Sequence, residues 1–162
     1  MTSRVLITQG TRPFAQRVGK LLQPHYKVQF GSADEVPQVL LQTGNYIQFP
    51  GVDTAAFEHE LLRSCLDNRI DVVIPLGEKE IDLLARAQQL FAEYGIAVWM
   101  PDAARPGELN VVRNPERHLP LVVLNRGVVV AGDQQHAQVG TLSGVFTQPI
   151  PTEGLRLCCI VG

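Results

Sequence analysis

The residues best placed to do chemistry in this chain fall in two short stretches. Gln9-Gly10-Thr11-Arg12 sets a glycine, a hydroxyl and a guanidinium side by side just ahead of Pro13. Pro75-Leu76-Gly77-Glu78-Lys79-Glu80 carries a glycine followed by two carboxylates. The first stretch suits an anion. A helix N-terminus exposes unbonded N–H groups and a partial positive charge, to which Thr11 adds a hydroxyl and Arg12 a planar fork. The second suits a hydroxyl or an amine, since Glu78 or Glu80 would accept from a ribose hydroxyl or a ligand's amino group. Both stretches also have a plain reading. The first is a solvated turn, and the acids of the second complement the dipole of the helix they open. The candidate ligand-binding set is Gly10, Thr11, Arg12, Pro75, Gly77, Glu78 and Glu80.

Other chemistries find less support. The turn after the first strand has one glycine, with neither the G-x-G-x-x-G nor the G-x-x-x-x-G-K-[ST] pattern. The dinucleotide fingerprint needs a second glycine where the backbone meets pyrophosphate, and here Arg12 and Pro13 occupy that region. No cofactor is assigned. His25, His59, His118 and His136 lie in separate elements and show no metal-ligand spacing. None of Ser3, Ser32, Ser64 and Ser143 sits in a G-x-S-x-G turn. Cys65 falls on the apolar stripe of a helix, and Cys158 and Cys159 are sequence neighbours without nearby ligands, so no metal site or disulfide framework is expected. Arg113, Arg117 and His118 form a small basic cluster, read as a solvated loop with anion binding as the alternative.

Elements must bring the two stretches together. Val5-Leu6-Ile7 reads as a buried strand, followed by a glycine-bearing turn and a helix from Pro13 whose stripe is Phe14, Val18, Leu21 and Leu22. Strands follow at 27–31 and 46–49, with a short helix to Gln42 between them. Asp53 is expected to cap a helix to about Asn68. Asp71–Pro75 is a strand apolar on both faces. One long helix is expected over 78–94, with Ile81, Leu84, Ala85, Gln88 and Phe91 inward and Gly95 ending it. A fifth strand spans 97–100. This alternation predicts an α/β, Rossmann-like, doubly wound parallel sheet of order 3-2-1-4-5. Its switch point lies between the first and fourth strands, where ligands bind beyond the carboxyl ends, and the two stretches meet there.

Residues 1–102 are thus expected to form the Rossmann-like domain, and 103–162 a β-rich extension. Within it, Leu121–Leu124 and Val128–Ala131 read as a hairpin with a three-residue loop, Asn125-Arg126-Gly127. Strands at 144–148 and 155–161 follow. The apolar run LRLCCIV needs a partner strand, either inside the extension or in another copy. A homodimer through residues 119–162 is the favoured expectation.

Composition bounds the rest. The chain has 162 residues, 45% hydrophobic and 19% charged, with a formal net charge of −2. That balance gives no electrostatic argument for nucleic acid or an anionic membrane. No apolar run approaches the roughly 20 residues of a membrane span, and no secretory leader is seen, so the cytoplasm is the default expectation.

RVLITQGTRPFAQRVGKLL, together with the stretch from FPGVDTAAF to IAVWMPD, resembles the N-terminal domain of ATP-grasp carbon–nitrogen ligases, nearest the carbamoyl-phosphate-synthase-like members. The resemblance covers residues 4–102. It rests on the strand and turn Ile7–Pro13, the strand end Asp71–Pro75 with Glu78 and Glu80 after it, and the strand ending in Pro101-Asp102. It implies a pre-ATP-grasp domain that contributes acceptor-substrate surface. Catalysis in that family resides in later domains, with lysines on the nucleotide phosphates and acidic and asparagine ligands for magnesium. Here no lysine follows Lys79 and no carboxylate cluster appears in the extension. The chain is therefore expected not to catalyse ligation alone. Two functional readings follow. One is a binding module for a small phosphorylated or nucleotide-like ligand at the sheet's carboxyl edge. The other is an interaction protein that self-associates or docks on a separate ATP-grasp catalytic subunit through its extension.

Overall fold

In the computed structural model, described for residues 2–101, 110–132, 142–150 and 154–161, the chain is organised around its first strand. Val5, Leu6 and Ile7 of β1 (Arg4–Ile7) have no solvent exposure. β2 (Lys27–Ser32) and β4 (Val72–Ile74) pair with β1 in parallel, setting Val5 opposite Val28 on one side and Val72 on the other. β3 (Tyr46–Gln48) and β5 (Ala97–Val98) complete the sheet in the order β3-β2-β1-β4-β5. The α/β, doubly wound expectation is met strand for strand.

The alternation of side chains along β1 separates two cores. Leu6 and Val73 face α3 (Phe57–Asp67), α4 (Glu78–Ala85) and α5 (Gln88–Glu93), packing with Phe57, Leu61, Cys65, Leu84 and Phe91. Val5 and Ile7 face α1 (Pro13–Leu22), whose Ala15, Val18 and Leu22 are fully buried. α2 (Gln38–Leu41) buries nothing and serves as a connector.

α1 leaves part of its face uncovered, and a second sheet covers it. That sheet contains β6 (Val111–Arg113), β7 (Leu121–Asn125), β8 (Val128–Gly132), β9 (Gly144–Thr147) and β10 (Arg156–Cys159), in the order β6-β10-β9-β7-β8. Its Leu121, Val123, Val145 and Cys158 share one core with Val5, Ile7 and Trp99. The extension is thus a layer of the same packed body.

The structure decides one open alternative and revises three local expectations. β10, the strand expected to seek a partner, lies inside the second sheet, parallel to β6 and antiparallel to β9. The helix expected from Asp53 begins at Phe57 instead; Ala56 precedes it with no side-chain cap, and residues 51–56 are turns that leave Asp53 exposed. The long helix over 78–94 is two helices. The N–H groups of Arg86 and Ala87 bond three residues back, to Leu83 and Leu84, which tightens the turn and brings Ala87 into the core, against which Ala85 packs part-buried. Finally, Asn125 pairs directly with Val128, so the hairpin loop has two residues, Arg126 and Gly127, both at positive φ (50° and 82°). That matches the strand twist as I′-type turns do. The register shifts between Val123 and Leu124.

No helix among the described residues is long and apolar enough to cross a membrane.

Candidate functional site

The carboxyl ends of β1 and β4 are locked together before any side chain reaches solvent. Thr8 N–H donates to the Ile74 carbonyl at 3.1 Å, and Thr8 Oγ1 accepts from Leu76 N–H at 2.8 Å. The two loops leave the sheet side by side. Between them lies a cleft of about 390 Å³, walled by Gln9, Arg12, Asp34, Gly77, Glu78 and Glu80, with Asp53 and Lys79 at its margins.

Of the sequence-derived set, Arg12, Gly77, Glu78 and Glu80 line this cleft. Gly10, Thr11 and Pro75 do not: Thr11 points to solvent, and Gly10 and Pro75 are buried. Gly10 is a glycine for packing. A Cβ there would lie 2.6 Å from Phe30 Cβ and 3.0 Å from the Gly31 backbone nitrogen, and Gly10 N–H already donates to the Gly31 carbonyl at 2.8 Å.

Glu80 is the central group. It is 2% exposed although it stands in the first turn of α4. Gln9, held at φ 55°, turns its amide inward and donates to Glu80 Oε1. A non-glycine residue in the left-handed region costs about 1 kcal/mol or more, so this contact is built at some backbone expense. Burial pushes the Glu80 carboxyl above its usual range. The nearby Thr8 hydroxyl and the Gln9 amide pull the other way, and the nearby Asp34 charge adds to the upward push. Glu80 Oε2 is buried without a hydrogen-bond partner among the described residues. Gly77 makes room for the pair: a Cβ there would lie 2.6 Å from Glu80 Oε1 and 2.8 Å from Gln9 Nε2.

Glu78 is engaged differently. Arg113, at the end of β6, donates to Glu78 Oε1 from Nε at 3.0 Å and Nη2 at 2.7 Å, bridging the two sheets. Ile160 and Val161, just beyond β10, close the same side of the cleft. Ile160 accepts from Glu78 N–H at 3.1 Å and donates to the Leu76 carbonyl at 2.7 Å. Asn114 clasps Val161 through both its side-chain atoms, at 2.9 and 3.1 Å.

Sequence reasoning missed Gln9 as a lining group, together with Asp34, Asp53, Ile160 and Val161. The order 3-2-1-4-5 places the loop after β2 beside the loop after β1, and that could have flagged Asp34. No local signal marks Ile160 or Val161. His25, His59 and His118 are exposed, and His136 lies outside the described residues. No group of three or more His, Cys, Asp or Glu suited to a metal occurs among the described residues.

The five-stranded order and the switch-point cleft fit the match found for residues 5–99, to the family described as PylC-like, N-terminal domain. The chain belongs to that family. No curated protein matches the chain. The PylC-like N-terminal domain is the pre-ATP-grasp domain, in agreement with the resemblance carried by Ile7–Pro13 and Asp71–Glu80. In this chain the PylC-like segment ends at β5. Ile160 and Val161, which line the cleft, and Arg113, which pairs with Glu78, all come from beyond it.

Proposed function

We propose that the chain is a binding module, not catalytic on its own, that takes a small phosphorylated or nucleotide-like ligand in the cleft between the β1 and β4 loops. The observation that carries this reading is the orphaned Glu80 Oε2. A buried polar atom without a partner costs about 1–3 kcal/mol, which a ligand hydroxyl or amine would recover. Protonated Glu80 would donate from that oxygen to a ligand acceptor; ionised, it would accept. Arg12 and Lys79 supply positive charge for a phosphate, and Asp34 and Asp53 supply acceptors for ribose hydroxyls.

Calorimetric titration with adenosine monophosphate, ribose 5-phosphate and inorganic phosphate tests the reading. At least one should bind saturably, and Arg12→Ala or Gly77→Ala should weaken it by about tenfold or more. Binding that ignores both substitutions would remove the cleft from consideration.

A second reading is association through the extension. β10 is satisfied internally, so what supports this reading is β8. It ends the second sheet among the described residues and leaves Val128 50% exposed. Such a surface would serve a second copy or a separate ATP-grasp subunit. Solution mass by light scattering, for the native chain and Val128→Lys, separates the cases: a dimer that dissociates in the variant supports self-association, and a native monomer removes it.

A further inference from the structure

Helix α1 has another polar face, turned away from the cleft. There it meets the turn at 115–119 across a groove of about 610 Å³. Arg17, Lys20 and Arg117 line the groove together with Pro13, Phe14 and Pro115. Among the described residues it shares no lining residue with the cleft at Glu80.

Three features set the groove apart from a solvated basic face. First, among the described residues no carboxylate lines it, although the chain as a whole carries a net charge of −2. Glu116, the acid of the adjoining turn, sits 3.2 Å from His118 Nδ1 instead. Second, one of the cations is fixed. Arg17 is part-buried, and its guanidinium donates to the carbonyls of Glu116 and Leu119, so the charge is held between helix and turn. Lys20 and Arg117 form no ion pair among the described residues. Third, apart from Gln16 the described walls between the charges are apolar. Prolines and a phenylalanine lower the local dielectric and offer flat surfaces, and the size falls within the usual range of small-molecule sites.

We infer that this groove is a second ligand site, for a multiply charged organic anion: a polyphosphate or polycarboxylate group carried on a planar or apolar body. The charged groups would lie against Arg17, Lys20 and Arg117, and the body against Phe14 and the prolines. A ligand seated there joins α1 to the turn that Arg17 already ties to it. The basic cluster of the sequence thus divides. Arg113 serves the cleft, Arg117 serves the groove, and His118 pairs with Glu116.

Calorimetric titration of the full chain with pyrophosphate, adenosine diphosphate and citrate, with adenosine as the uncharged control, tests the inference. Saturable binding of at least one anion is expected at about 1 mM or below, with adenosine alone weaker. Lys20→Glu and Arg117→Glu lie on exposed side chains and should each weaken it by about tenfold. Lys27→Glu, a charge reversal at an exposed position outside the groove lining, should leave it unchanged. No saturable anion binding would overturn the inference. So would binding that ignores Lys20→Glu and Arg117→Glu, or equal loss in Lys27→Glu, which would mark a response to net charge alone.

Discussion

Ile160 and Gly77 form a parallel bridge that joins the two sheets at the mouth of the cleft. Ile160 donates to Leu76 and accepts from Glu78, so the residue after β10 completes the loop after β4. The second sheet is therefore part of the candidate site as well as of the core. Ile160 is 7% exposed, whereas its neighbour Val161 is 39% exposed.

That difference predicts unequal costs for two adjacent truncations. Ile160→Ala should lose about 2–4 kcal/mol of stability, the range for removing a buried aliphatic group. Val161→Ala should stay within about 0.5 kcal/mol, as surface changes do. Urea denaturation of both variants measures this. Equal losses would mean that Ile160 does not pack between the sheets.

Glu80 predicts a pH dependence with a definite sign. Its folded carboxyl titrates above the ordinary value of 4.5, chiefly because burial disfavours the charge. Below that value both folded and unfolded chains hold the proton and the group contributes no pH dependence. As pH rises above it the unfolded chain releases the proton first, so the folded state loses ground until its own carboxyl ionises. Glu80→Gln keeps an uncharged side chain of similar shape and removes this effect. The stability of Glu80→Gln relative to wild type should therefore rise with pH from about 4.5 upward. Denaturant midpoints between acid and neutral pH would show it, and a difference constant with pH would sink the idea.

Two glycines should respond to a methyl group for different reasons. At Gly10 the added Cβ meets β2 backbone and the Phe30 Cβ, which have no room to yield, so Gly10→Ala should cost about 1–3 kcal/mol. At Gly77 it meets only the ends of Gln9 and Glu80. The φ there is −76°, which alanine accepts. Gly77→Ala should therefore cost about 1–3 kcal/mol, through the separated Gln9–Glu80 hydrogen bond rather than through backbone strain. Thermal denaturation gives the two stabilities. Weakened ligand binding in a folded Gly77→Ala protein would tie that pair to the cleft's function.

The three thiols should be silent in the folded chain. Burial pushes Cys65 and Cys158 up to about 12 and Cys159 up to about 11. All three are free and no more than 1% exposed. Thiolate is the reactive form, so a disulfide reagent at about pH 8 should label none of them until denaturant is added. Rapid labelling of Cys158 or Cys159 in the native protein would show that β10 opens readily.

Much of the first sheet was legible in the residues because it depends on local pattern and on chain chirality. Apolar runs at Val5–Ile7 and Val72–Ile74, helical stripes between them and right-handed crossovers leave the order 3-2-1-4-5, and that order brings Arg12, Gly77, Glu78 and Glu80 to one edge. Tertiary structure decided the rest. Nothing local breaks the helix at Arg86-Ala87; the break comes from packing Leu84, Ala87 and Phe91 against one sheet face. Nothing local marks Gly10 as packing against β2, or Asp34 and Asp53 as walls of the cleft. LRLCCIV announced only that it must be paired. Its place between β6 and β9, and the contact of Ile160 with the β4 loop, arise because α1 covers only part of its sheet face and the second sheet buries the remainder. Sequence periodicity specifies which side of an element is apolar; which distant surface meets it is settled only when the layers pack.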